Sequence, residues 1–157
     1  MGLAVRVYKN IKQTNNEEEY DFEAFVIDDN WKYKIKNLEE GKLYEGDCVD
    51  RTISYPYSAH NRFRETLLKL IGRDDLLTSE GKVDWANLPS DIPFYELIDF
   101  ADNEGCLDWE VSEKLYKDFK DWETKADEFY SDFQIDKYKE WLNVFELGKD
   151  RGVVVFS

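Results

Sequence analysis

The sequence predicts an α+β fold: an antiparallel sheet from the N-terminal third plus a C-terminal strand, with three or four helices packed on one sheet face. Three observations carry this. Period-two alternation recurs in segments of the first third, helical periodicity of apolar residues recurs in segments between Ala59 and Leu147, and Val153-Val154-Val155-Phe156 is the unbroken apolar run of a buried central strand. A chain of 157 residues is read as one domain, long enough to build a core without staples. An aromatic content of 16% argues that its acidity is a property of the surface and not of disorder.

Leu3, Val5 and Val7 alternate with Ala4, Arg6 and Tyr8, predicting the first strand. The polar stretch Ile11 to Asp21 reads as a long connection. Phe22 to Ile27 gives a second strand, and Asp28-Asp29-Asn30 a turn. Trp31, Tyr33 and Ile35 then alternate with Lys32, Lys34 and Lys36, a strand with one apolar face and a lysine row that guards an edge or open face. Gly41 and Gly46 punctuate the following segment, and Val49 to Tyr55 offers another strand.

Ser58 is placed to cap a helix from Ala59 to Ile71, with Phe63, Leu67, Leu70 and Ile71 on one face and Gly72 as its stop. Residues 73–92 read as loop, with a short turn at 84–88. Pro93 opens a short helix, Phe94 to Ala101, and a loop follows through Leu107. Asp108 caps a long helix whose stripe is Val111, Leu115, Phe119, Trp122, Ala126 and Phe129, supported by Glu110–Lys114 and Asp121–Lys125 pairs. A last helix spans Asp136 to Leu147 and stops at Gly148.

Charge is segregated. Residues 74–136 hold 19 Asp and Glu against 5 Lys, a net of −14 that equals the charge of the whole chain. Such a block repels anionic partners and attracts cationic ones, which argues against nucleic acid and anionic membrane as partners and for a basic protein. Cys48 and Cys106 are read as free thiols, with Cys106 a poor nucleophile among Asp102, Glu104 and Asp108. No apolar stretch approaches a transmembrane length, and Met1 to Arg6 lacks both a signal-peptide core and a myristoylation motif. A cytoplasmic protein is expected.

His60 is the sole histidine, which excludes multi-histidine metal sites; it is a candidate general base or a boundary histidine held by a nearby acceptor. The densest carboxylate cluster is Asp99, Asp102 and Glu104, in a glycine-terminated loop. It could hold a divalent cation, divide into acid and base, or serve as turns and caps. It does not fit the EF-hand spacing. Arg62 and Arg64 flank Phe63 after Tyr55 and Tyr57, a weak footprint for a nucleic-acid strand. GxGxxG, Walker, GxSxG and HExxH motifs do not occur.

Tyr57-Ser58-Ala59-His60-Asn61-Arg62-Phe63-Arg64, Phe100-Ala101-Asp102-Asn103-Glu104-Gly105 and Gly148 to Phe156 carry a likeness. Loosely over residues 57–156, the chain resembles small uncharacterised bacterial proteins with a YSxxNxF/WR helix start, an FxDxEG loop and a DxGxVxF ending. No activity is attached to that family. The resemblance implies only that Asn61, Arg64, Asp102, Glu104 and Asp150 could converge.

Two functions are therefore expected. The first is an immunity- or inhibitor-like module that binds a basic partner through Asp118, Asp121 and Glu123. The second is a cation-dependent or carboxylate-based site at residues 99–105, with Asp99, Asp102 and Glu104 as metal ligands or His60, Arg64, Asp102 and Glu104 as catalytic groups. A DNA-mimicking inhibitor would share the acidity but needs carboxylates spaced like phosphates.

Overall fold

The computed structural model describes residues 2–25, 35–99 and 104–157. Its strands are β1 (Gly2–Thr14), β2 (Phe22–Glu23), β3 (Leu43–Asp50), β4 (Ser54–Pro56), β5 (Gly105–Leu107) and β6 (Val153–Phe156). All pairings are antiparallel, in the order β2-β3-β1-β6-β5, and β4 pairs with the start of β1. The helices are α1 (Tyr57–Leu70), α2 (Tyr95–Asp99), α3 (Trp109–Asp121), α4 (Glu123–Phe129) and α5 (Asp132–Gly148). The fold is α+β, with the N- and C-terminal strands side by side.

The sheet buries both faces. Leu3, Val5, Val7, Val154 and Phe156 meet the helices, where Phe63, Leu67, Leu115, Phe119, Trp141 and Phe145 are buried. Each large apolar side chain removed from water contributes about 1.5–3 kcal/mol. Tyr8, Cys106 and Val153 point the other way, into a smaller cluster with Phe22, Tyr44 and Ile35. Phe22 stacks on Tyr44 with ring centroids 5.5 Å apart.

Several local expectations are corrected. β1 continues through Ile11 to Thr14, because a bulge at Asn10 (φ 52°) absorbs one extra residue and keeps pairing with β3. Asn tolerates this left-handed conformation, and its Nδ2 donates to Asp47 Oδ2 at 2.9 Å. Gly46 lies inside β3 and not at a turn. A Cβ there would sit 2.9 Å from Ile11 Cγ2 and from the Lys9 carbonyl oxygen. Of the proposed strand Trp31 to Lys36, residues 31–34 lie outside the described residues, and so do Val26 and Ile27 of the preceding strand. Ile35 is buried in a short helical turn, and Lys36 forms an ion pair with Glu110.

Pro56, not Ser58, precedes α1, since β4 runs straight into the helix and no side chain caps it. The stop at Gly72 (φ 73°) is as expected. Gly72 N–H donates to Lys69 O and Arg73 N–H to Leu68 O, the paired bonds of a Schellman end. Gly105, Cys106 and Leu107 are strand and not loop, recruited by β6. Asp108 does cap α3, its Oδ1 accepting from Val111 N at 3.1 Å. The long helix, however, breaks at Trp122 into α3 and α4. Past the break the stripe shifts by one residue: Ala126 and Tyr130 are buried and Phe129 is exposed. Helix α5 starts at Asp132, earlier than expected. Among the described residues no helix is long and apolar enough to cross a membrane.

Candidate functional site

His60 faces inward from α1 and is fully buried, its ring centroid 5.5 Å from that of Trp141. Neither ring nitrogen has a hydrogen-bond partner, so the expected acceptor is missing among the described residues. Burial, reinforced by the charges of Arg64 and Lys137, holds its pKa down at about 3. The imidazole is neutral at physiological pH and sealed from solvent.

Arg64, also buried, donates from Nη1 to the Ile98 carbonyl at 3.0 Å and from Nη2 to Asn61 Oδ1. Its guanidinium lies 5.1 Å from the Trp85 ring centroid. Arg64 therefore ties α1 to α2 and to the 85–87 turn. Asp99 is half-buried beside the Tyr95 hydroxyl, whose pKa rises first through burial and then through that carboxylate. Glu104 is exposed. Asp102 lies outside the described residues, as do Phe100, Ala101 and Asn103. Among the described residues no three His, Cys, Asp or Glu side chains gather as a metal site. Asp150 is exposed and pairs with Lys149 at 3.5 Å. Of the five polar positions singled out by the family likeness, the structure brings Asn61 and Arg64 together. Cys106 is buried in β5, and burial pushes its thiol up to about 11, in keeping with a poor nucleophile.

The three acidic partner candidates divide. The Asp118 side chain is only 14% exposed; Oδ2 accepts from Phe94 N at 3.0 Å and meets Lys114 Nζ at 2.6 Å. Phe94 is buried with φ +65°, and this bond fixes its strained backbone. Glu123 is clamped between Lys120 and Lys139 at 3.1 and 2.9 Å. Asp121 is 55% exposed and pairs with Lys117. The helical pairs expected from spacing are replaced: Lys114 joins Glu96 and Asp118, while Lys125 lies over the Trp122 ring.

Two surface features emerge that spacing alone did not indicate. The first is the corner where α4 meets α5. Phe133 is 74% exposed and Phe129 44% exposed, and Asp127, Glu128, Asp132 and Asp136 around them are exposed as well. Glu128, Asp132 and Asp136 have no ion-pair partner among the described residues. The available signal was the repeated grouping of acids with an aromatic, Asp127-Glu128-Phe129 and Asp132-Phe133, but counting Phe129 into the helical stripe hid it.

The second feature is a groove along α1, bounded by the Leu77–Val83 hairpin and the α4–α5 junction. One chamber of about 360 Å³ is lined by Arg62, Lys69, Lys137, Thr66 and Tyr130. A second of about 360 Å³ holds Asn61, Arg64, Val83 and Trp85, and both share Glu65 and Lys82. Thr66 Oγ1 donates to the Phe63 carbonyl at 2.6 Å and stands 2.8 Å from the Tyr130 hydroxyl. Burial pushes that phenol up to about 12. Glu65 is buried, with Lys82 Nζ at 3.5 Å. On a chain of charge −14, cations crowd this groove. No family model, curated protein or solved structure matches the chain.

Proposed function

We propose that the protein is an immunity- or inhibitor-like binding module whose α4–α5 corner docks on a basic surface of a partner protein. The observation that supports it is Phe133, 74% exposed, in a stretch of chain with the exposed Asp127, Glu128, Asp132 and Asp136 and with Lys137 Nζ 5.5 Å from its ring centroid. Keeping a phenyl ring in water forgoes about 1.5–3 kcal/mol of burial, which a partner recovers on docking. Aromatic anchors ringed by polar groups dominate binding energy at interfaces. Glu128, Asp132 and Asp136, without ion-pair partners among the described residues, supply the field that steers a cationic surface onto the anchors. Asp118 and Glu123 serve the fold, so the proposed interaction face lies further along the chain, at residues 127–136, than spacing indicated.

Low-salt affinity capture from host lysate, run with wild type and Phe133→Ser, tests this reading. One stoichiometric basic protein is expected on wild type and absent from the variant, with both melting at the same temperature. Equal retention on the two, or no stoichiometric partner, would count against it.

A further inference from the structure

We propose that the groove along α1 binds a nucleoside phosphate. Its two chambers present three chemistries in order. Trp85, 51% exposed, offers one ring face, while the Arg64 guanidinium backs the ring at 5.1 Å. A planar base can stack on such a platform, a contact worth about 1–3 kcal/mol. Glu65, shared by both chambers, is an acceptor-only group in the middle of the groove. Carboxylates there accept hydrogen bonds from sugar hydroxyls, and among the described residues the cationic partner of Glu65 is the distant Lys82 Nζ, at 3.5 Å. The far chamber gathers Arg62, Lys69 and Lys137, with the Thr66 and Tyr130 hydroxyls in its wall. Cations converging on a concave wall favour a phosphate.

Size agrees: each chamber is about 360 Å³, together the volume of a small-molecule site. Glu65 and Glu80 oppose an anion in the same groove, and the acidic block beyond it repels a polyanion. A single phosphorylated nucleoside therefore fits better than a nucleic-acid strand, whose affinity grows with each neutralised phosphate. The groove borders the corner proposed for partner docking and shares Lys137, whose Nζ lies 5.5 Å from the Phe133 ring centroid, but it rests on different side chains and its test does not depend on that reading.

The test is calorimetric titration of the full chain with ribonucleoside monophosphates, one base at a time, beside the matching nucleosides, inorganic phosphate and a single-stranded oligonucleotide. Trp85→Ala and the pair Arg62→Gln/Lys69→Gln alter exposed side chains, and thermal melts matching wild type check that both variants keep the fold. At least one monophosphate is expected to bind, with its nucleoside and phosphate alone weaker by about tenfold or more, a difference of about 1.4 kcal/mol or more. Each variant is expected to weaken it by a similar factor. Absence of binding by every monophosphate, affinity unchanged in both variants, or binding of the oligonucleotide alone would overturn the proposal.

Discussion

His60 sits fully buried against Trp141 with neither nitrogen bonded among the described residues, so protonating it in the folded state is costly. In the unfolded chain it takes a proton near 6.5; in the fold the pKa falls to about 3. The unfolded state therefore binds more protons throughout that interval. Stability from this residue is complete above 6.5 and is lost as pH falls toward 3, by up to about 1.4 kcal/mol per pH unit. Urea melts of wild type and His60→Phe at neutral and mildly acidic pH isolate this effect. Wild type is expected to lose about 2 kcal/mol more than the variant between pH 7.5 and 5. Equal losses would place His60 in a wetter or bonded setting.

Asp118 and Asp121 look alike in sequence and differ in structure. Asp118→Ala strands the Phe94 N–H and is expected to cost about 2–4 kcal/mol, whereas Asp121→Ala, at an exposed pair, stays within about 0.5 kcal/mol. Thermal melts of the two variants check this. Spacing pairs Lys114 with Glu110 and leaves Asp118 as a surface carboxylate; the bond to Phe94 spans 24 positions and has no local signature.

Element boundaries were legible where one residue sets them. Gly72 and Asp108 act locally, through a left-handed backbone and a side-chain cap, and both were readable. β6 was readable from four consecutive apolar residues. Elements that depend on a distant partner were not. Gly105-Cys106-Leu107 is too short to show alternation and becomes a strand because β6 offers an open edge. The α3–α4 break at Trp122 carries neither proline nor glycine, so the periodicity ran through it on paper and took Phe129 inward. Helix α5 ends at Gly148, where the sequence places its stop, and this glycine also lets the helix approach α3 and β6. An added Cβ would meet Ser112 Oγ at 2.7 Å, Val154 Cγ2 at 3.0 Å and Ser112 Cβ at 3.1 Å. Helix propensity alone would have Gly148→Ala gain about 1 kcal/mol. Overpacking is expected to reverse the sign, to a net loss of about 1–3 kcal/mol in chemical denaturation. A stabilised variant would show that α3 and α5 have room to part.

At the scale of the whole molecule, the acidic block is two populations. Glu96, Asp118 and Glu123 are absorbed by lysines that hold α2, α3, α4 and α5 together. Glu128, Asp132 and Asp136 lack ion-pair partners among the described residues and neighbour the exposed Phe129 and Phe133 in the chain. Composition gives the total charge; only the fold separates charges that hold helices together from those without ion-pair partners among the described residues. The basic groove was hidden for the same reason: Arg62, Lys69, Lys82 and Lys137 come from three stretches of chain that meet only in space. The central claim is that the corner, and not bulk acidity, selects a partner. Its most direct measurement is low-salt capture with two variants of identical net charge. Asp132→Asn/Asp136→Asn neutralises the corner, and Asp74→Asn/Asp75→Asn neutralises exposed acids elsewhere. The account predicts that the corner variant loses the basic partner and the other retains it. Equal loss from both would contradict the account and leave total charge as the cause.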